Sequence, residues 1–179
     1  MKRYWIFLFP LALLACRVLS SAPLAAPLRT PTPAASHLEA TAFAPTRAFT
    51  LVRIHPQEGK LQNLLAIEAQ KAQALGQAAF VEYDATWCPS CQIITARLAE
   101  KNELMLAAYR GVYLIHLDVD EWGWGNAEAG FNLQVIPIFF KLDQNGRPTG
   151  DRVDGSIWGD DIPENIAPAL EKFFGTVQR

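Results

Sequence analysis

Apolar and polar positions along this chain follow two periods. Residues 49–54 alternate around Leu51, Val52 and Ile54 and stop at Pro56, which predicts a short first strand. Over residues 58–75, Leu61, Leu64, Leu65, Ile67 and Leu75 recur at helical spacing, with alanines between them and Gly76 as a stop. Residues 78–84 read as a second strand, and residues 92–109 as one long helix carrying Ile93, Ile94, Leu98, Leu104 and Leu106, ended by Gly111. The nearly continuous apolar run over 112–119 is typical of a central strand covered by helices on both faces. After a Trp/Gly loop, the pattern predicts a short helix over 126–133 and a strand over 136–142. A turn at Asp143-Gln144-Asn145-Gly146 leads to a strand at 152–154 that pairs as a hairpin, and a helix over 162–174 closes the chain. The order is βαβαβαββα, an α/β domain with no internal repeat.

The first residues follow a different pattern. Lys2 and Arg3 precede an apolar run over 4–15, so residues 1–19 read as a secretory signal, too short for the roughly 20 residues that span a bilayer. Leu13-Leu14-Ala15-Cys16 resembles a bacterial lipobox, which would make Cys16 a lipidated membrane anchor. A plainly cleaved signal and an uncleaved N-terminal anchor stay open, and all three place the domain outside the cytoplasm. Residues 20–48, rich in Pro and Ala, read as a tether; residues 49–179 remain for one domain with a real core. A formal net charge of −2 and the lack of a Lys/Arg cluster beyond Lys2-Arg3 argue against nucleic acid as a partner.

Candidate chemistry concentrates at Trp87-Cys88-Pro89-Ser90-Cys91, between a predicted strand and a predicted helix. Unpaired N–H groups and the dipole at a helix N-terminus favour negative charge, which lowers the pKa of Cys88 and supplies the thiolate that attacks disulfides. Cys91 lies one turn on, where it can resolve a mixed disulfide. Half of a zinc site would need two more ligands, whereas the remaining Cys16, His37, His55 and His116 are scattered singly. An inert structural disulfide is the other competing reading. His116, within an apolar strand, reads as a satisfied core residue rather than a ligand.

Three segments together give the globular part a resemblance to the thioredoxin superfamily over about residues 50–174: Trp87-Cys88-Pro89-Ser90-Cys91, Val135-Ile136-Pro137, and Glu82 six residues before Cys88. The resemblance implies a three-layer α/β/α sandwich with a central mixed sheet, and thiol:disulfide oxidoreductase activity with no bound cofactor. It also implies a cis Pro137 facing the dithiol, with Ile136 offering backbone groups to a substrate segment and Trp87 packing beside the thiols. Glu82 would be a buried carboxyl that takes the proton of Cys91, although a period-two strand leaves a solvent-facing Glu82 open. Pro-Ser between the cysteines, without histidine at position 90, places the expected potential nearer the reducing end of the superfamily, roughly −270 mV, than the oxidising end, roughly −120 mV. The expected protein is a monomeric, membrane-tethered periplasmic reductase of protein disulfides, re-reduced by a membrane or extracytoplasmic electron donor. An oxidase or isomerase, a Cu(I)-binding metallochaperone of the same fold, and an assembly domain using the Trp122/Trp124 loop are the alternatives.

Overall fold

The computed structural model describes residues 48–175; the signal, Cys16 and residues 20–47 of the tether lie outside the described residues. Among the described residues, no helix is long and apolar enough to cross a membrane. Five strands form one sheet in the order β1-β3-β2-β4-β5: β1 (Thr50–Arg53), β2 (Ala78–Asp84), β3 (Val112–Asp118), β4 (Ile138–Leu142) and β5 (Pro148–Asp154). β1 and β2 run parallel to β3, whereas β4 is antiparallel to β2 and β5 to β4, so the sheet is mixed.

The sheet is covered on both faces, as the apolar run of β3 requires. Helix α1 (Leu61–Ala74) buries Leu61, Leu65 and Ala72 in one cluster with Val81, Tyr83, Ile115 and Leu117. On the other face, α2 (Pro89–Ala99), α3 (Glu103–Ala108) and α5 (Pro163–Gly175) bury Ile94, Leu98, Met105, Ile166 and Leu170 with Phe80, Leu114 and Phe139. Phe174 of α5 anchors that side, with edge contacts to Phe80, Tyr109 and Phe139 at centroid distances of 4.7, 5.1 and 5.9 Å.

The α/β order holds, but several elements differ from the expectation. The single helix over 92–109 is two helices. Lys101 adopts a left-handed φ of 59°, and the Asn102 side chain accepts the Met105 N–H at 3.2 Å, capping α3. The expected helix over 126–133 is a single 3-10 turn, Ala127–Ala129, capped by Asn126 and closed by Gly130 at φ 86°. Asp118 ends β3 one residue early, because its carboxylate accepts the Asp120 N–H and starts a four-residue helix, α4 (Val119–Trp122). β4 begins at Ile138 rather than 136, since Pro137 has no N–H for the ladder, and β5 begins at Pro148 rather than 152. At the β4–β5 turn, Gly146 has φ 73°, and a Cβ there would lie 2.4 Å from the α1 backbone at Leu65; no other residue fits.

Candidate active site

β2 and β3 deliver their last residues to one end of the sheet, and α2 begins there. Cys88 occupies the N-cap of α2 in extended conformation, Pro89 is the first helical residue, and Cys88 and Cys91 are joined as a disulfide. The Cys91 N–H donates to Cys88 Sγ at 3.2 Å, so a donor of the first turn faces that sulfur, an arrangement that favours negative charge on it. Both cysteines are buried.

The Ile136–Pro137 bond is cis, and Ile136 packs on the same apolar cluster as Cys88 and Cys91. The loop after β5 braces this segment: the Gly155 N–H donates to the Pro137 carbonyl at 3.0 Å. Trp87 is not core. It is half exposed, its Nε1 donates to Asp120 Oδ2 at 2.8 Å, and its ring lies 6.3 Å from that of the equally exposed Trp124. The Trp loop therefore divides its labour. Trp122 is half-buried and donates to the Ile54 carbonyl at 3.0 Å, whereas Trp124 faces solvent beside the dithiol motif.

Glu82 faces inward and is 1% exposed, which removes the solvent-facing alternative. It sits opposite His116 in the β2–β3 register, and Arg53 sits opposite His116 on the other side. His116 Nδ1 lies 2.9 Å from Asp84 Oδ2 and 3.5 Å from Glu82 Oε2. Arg53 clamps Asp84 through two bonds, 3.1 and 2.6 Å, and approaches Asp118 at 3.7 Å. Burial pushes the Glu82 carboxyl up to about 7 against the pull of His116. Burial also opposes charge on His116 and on Asp84, but is overridden in both. Glu82 and Asp84 hold the imidazole above its ordinary value, while the bonds from His116 and Arg53 hold the Asp84 carboxyl below its own. A cleft of about 370 Å³ lined by Arg53, Asp84, Thr86, Cys91, Gln92 and Thr95 joins the Arg53–Asp84 end of this ionic row to Cys91.

Sequence reasoning placed Cys88, Cys91, Glu82, Trp87, Ile136 and Pro137 at this end of the molecule. It missed Arg53 and Asp84, and read His116 only as a satisfied core residue; it is satisfied, by Asp84, but within the row that holds Glu82. Period two puts Glu82 and Asp84 on one face of β2, and His116 and Asp118 on one face of β3, a signal available in the sequence; the β2–β3 register brings the two pairs together. Among the described residues, no three His, Cys, Asp or Glu side chains converge so as to hold a metal ion.

A dithiol capping a helix that follows a central strand, apposed to a proline-led strand of the same mixed sheet, defines a thiol:disulfide oxidoreductase. The sequence model of the thioredoxin family matches residues 68–168, and the chain belongs to that family. Among solved structures, it is similar to a thioredoxin from Trichomonas vaginalis, at 25% identity over 69% of this chain and 96% of that one, with a TM-score of 0.43. It is also similar to thioredoxin NaTrxh from Nicotiana alata, at 24% identity over 73% of this chain and 96% of that one, with a TM-score of 0.44. No curated protein gives a significant match.

Proposed function

We propose that this protein reduces protein disulfides outside the cytoplasm, held to a membrane by its N-terminal segment through Cys16 and the tether over 20–48. The observation that carries the thiol chemistry is the Cys88–Cys91 pair at the start of α2, with a cleft leading from Cys91 to Asp84, which bonds His116 beside Glu82. In the reduced protein, the Cys88 thiolate attacks a substrate disulfide, forming a mixed disulfide and releasing one substrate thiolate. Cys91 gives its proton to the Glu82 carboxylate and attacks Cys88 Sγ. The Cys88–Cys91 disulfide forms, and the second substrate thiolate leaves and takes up a proton.

Substrate lies along Ile136, whose backbone precedes the β4 ladder and is free for strand-like pairing, with the exposed Trp87 and Trp124 rings as a platform. The Pro-Ser dipeptide inside the motif supports the reducing direction. Return to the dithiol requires two electrons from a membrane or extracytoplasmic thiol donor, because cytosolic reductants do not reach that compartment.

Equilibrating the full chain with glutathione or dithiothreitol, read by tryptophan fluorescence, tests the direction. A potential near about −270 mV supports the reductase, and one at or above about −180 mV makes the protein a disulfide donor or isomerase. Cys88→Ser is expected to abolish disulfide reduction; retained turnover would remove Cys88 from its assigned role.

A further inference from the structure

Ser90, between the two cysteines, is bonded to a residue far along the chain. Its hydroxyl donates to Asp161 Oδ2 at 2.6 Å, across 71 residues. The other carboxylate oxygen accepts from Trp158 Nε1 at 2.9 Å. Trp158 is buried and lies against Gly155, where a Cβ would come within 3.3 Å of its ring and within 3.4 Å of Pro137. A continuous series of contacts thus runs from the dithiol motif through Asp161, Trp158 and Gly155 to the cis-proline segment. It fixes the Asp161 carboxylate at the first turn of α2, the same turn whose Cys91 N–H donates to the Cys88 sulfur. Among the described residues, no ion pair joins Asp161 to a cation.

A fixed anion at that turn acts against a second anion forming there. Reduction of the disulfide creates the Cys88 thiolate in the field of Asp161, so the carboxylate raises the free energy of the reduced state relative to the oxidised one. We propose that Asp161 is a positioning residue that holds Ser90 in place and, by opposing the Cys88 thiolate, makes the dithiol a stronger reductant. This rests on the reading of Cys88 as the attacking thiol. It accounts for the motif in this chain: the serine that stands where a histidine would stabilise the thiolate instead recruits a carboxylate that destabilises it.

Asp161→Asn tests the electrostatic role with little change in shape. Asparagine can accept from Trp158 Nε1 and donate to Ser90 Oγ, keeping both bonds while removing the charge. In the full chain, its equilibrium constant with glutathione should move about tenfold toward the dithiol, a rise of about 30 mV in potential. The thiolate absorbance of Cys88 should appear at lower pH than in the wild type. Ser90→Ala keeps the charge but releases its anchor, and should give a shift of the same sign and about threefold. An Asp161→Asn potential and thiol titration equal to wild type would overturn the proposal, whatever the change in stability. If that variant does not fold, Ser90→Ala decides: a shift toward the dithiol supports the proposal, and no shift overturns it. Because each shift is read against the wild type, an isomerase-like wild-type potential would sink the reductase reading and leave this inference standing.

Discussion

The two faces of β2 and β3 are made from alternate residues of the same strands, yet they behave as different materials. Toward α1 the strands present Val81, Tyr83, Tyr113, Ile115 and Leu117, apolar along their whole length apart from two tyrosine hydroxyls, of which that of Tyr113 donates to Glu68 of α1. Toward α2 they present Phe80 and Leu114 first, then Glu82 and His116, then Asp84 and Asp118 at the dithiol end. One face maximises burial of apolar surface. The other exchanges part of that burial for ionisable groups beside the cleft that reaches Cys91, where burial raises one carboxyl into the range useful for proton transfer. The buried ionisable groups therefore lie on the side of the sheet opposite the α1 cluster, into which the two cysteines themselves pack, and substitutions on each side should separate stability from proton handling.

The largest change is expected from the apolar face. Leu65 of α1 is fully buried, and Leu65→Ala removes apolar contacts and leaves a cavity, at a cost of about 2–5 kcal/mol in stability. Urea denaturation should record that loss while the potential of the dithiol stays at the wild-type value. A potential that moved with stability would break the division between the faces.

On the ionic face the sign reverses. Glu82 has its carboxyl raised from 4.5 to about 7 in the folded chain, so the folded state keeps its proton where the unfolded chain has lost it. Its contribution to stability is greatest below about pH 4.5 and falls as pH rises to about 7, by about 3 kcal/mol in all. Glu82→Gln should leave stability at pH 4 unchanged and increase it at pH 8 by up to about 3 kcal/mol, less the lost attraction to His116. The same substitution should slow resolution of the mixed disulfide about 100-fold or more and abolish the rise of that step as pH passes through about 7. Stopped-flow decay of a trapped mixed disulfide measures it, and a wild-type pH profile in the variant would exclude Glu82 as the base.

How much of this was legible follows from how far apart in the chain the partners lie. The dithiol was readable because Cys88 and Cys91 are three residues apart and the strand and helix around them are strongly patterned. Glu82 was readable by its spacing from Cys88, but its burial was not, since period two assigns two faces without saying which is covered. Arg53, Asp84 and His116 are single polar residues on three strands, joined only by register, and register is a tertiary fact. The break at Lys101 is masked in the sequence because apolar spacing continues through it to Leu104 and Leu106, and the competing signal is a single capping asparagine. The Ser90–Asp161 bond leaves no local signature, since the serine and aspartate are each ordinary at a helix start.

Arg53 gives the smallest and most discriminating effect, because it supports the ionic face from its edge. Its guanidinium holds Asp84, which is buried, but is itself 38% exposed, so solvent screens part of the pair. Truncation to Arg53→Met keeps the aliphatic stem and leaves Asp84 with His116 alone. The expected loss is about 1–2 kcal/mol near neutral pH, below the roughly 3–5 kcal/mol of a fully buried pair left uncompensated. Its pH dependence identifies the cause. Asp84 is held below its ordinary value of 3.8, so the stability it contributes is present above that pH and is lost as pH falls through its lower folded value. The gap between Arg53→Met and wild type should therefore be full at neutral pH and close only in strong acid, once Asp84 is protonated in both proteins. Thermal denaturation between pH 2 and pH 7 would measure it. A gap that stayed constant with pH would mean that Arg53 acts through the packing of its stem, making this edge of the sheet resemble the α1 face after all.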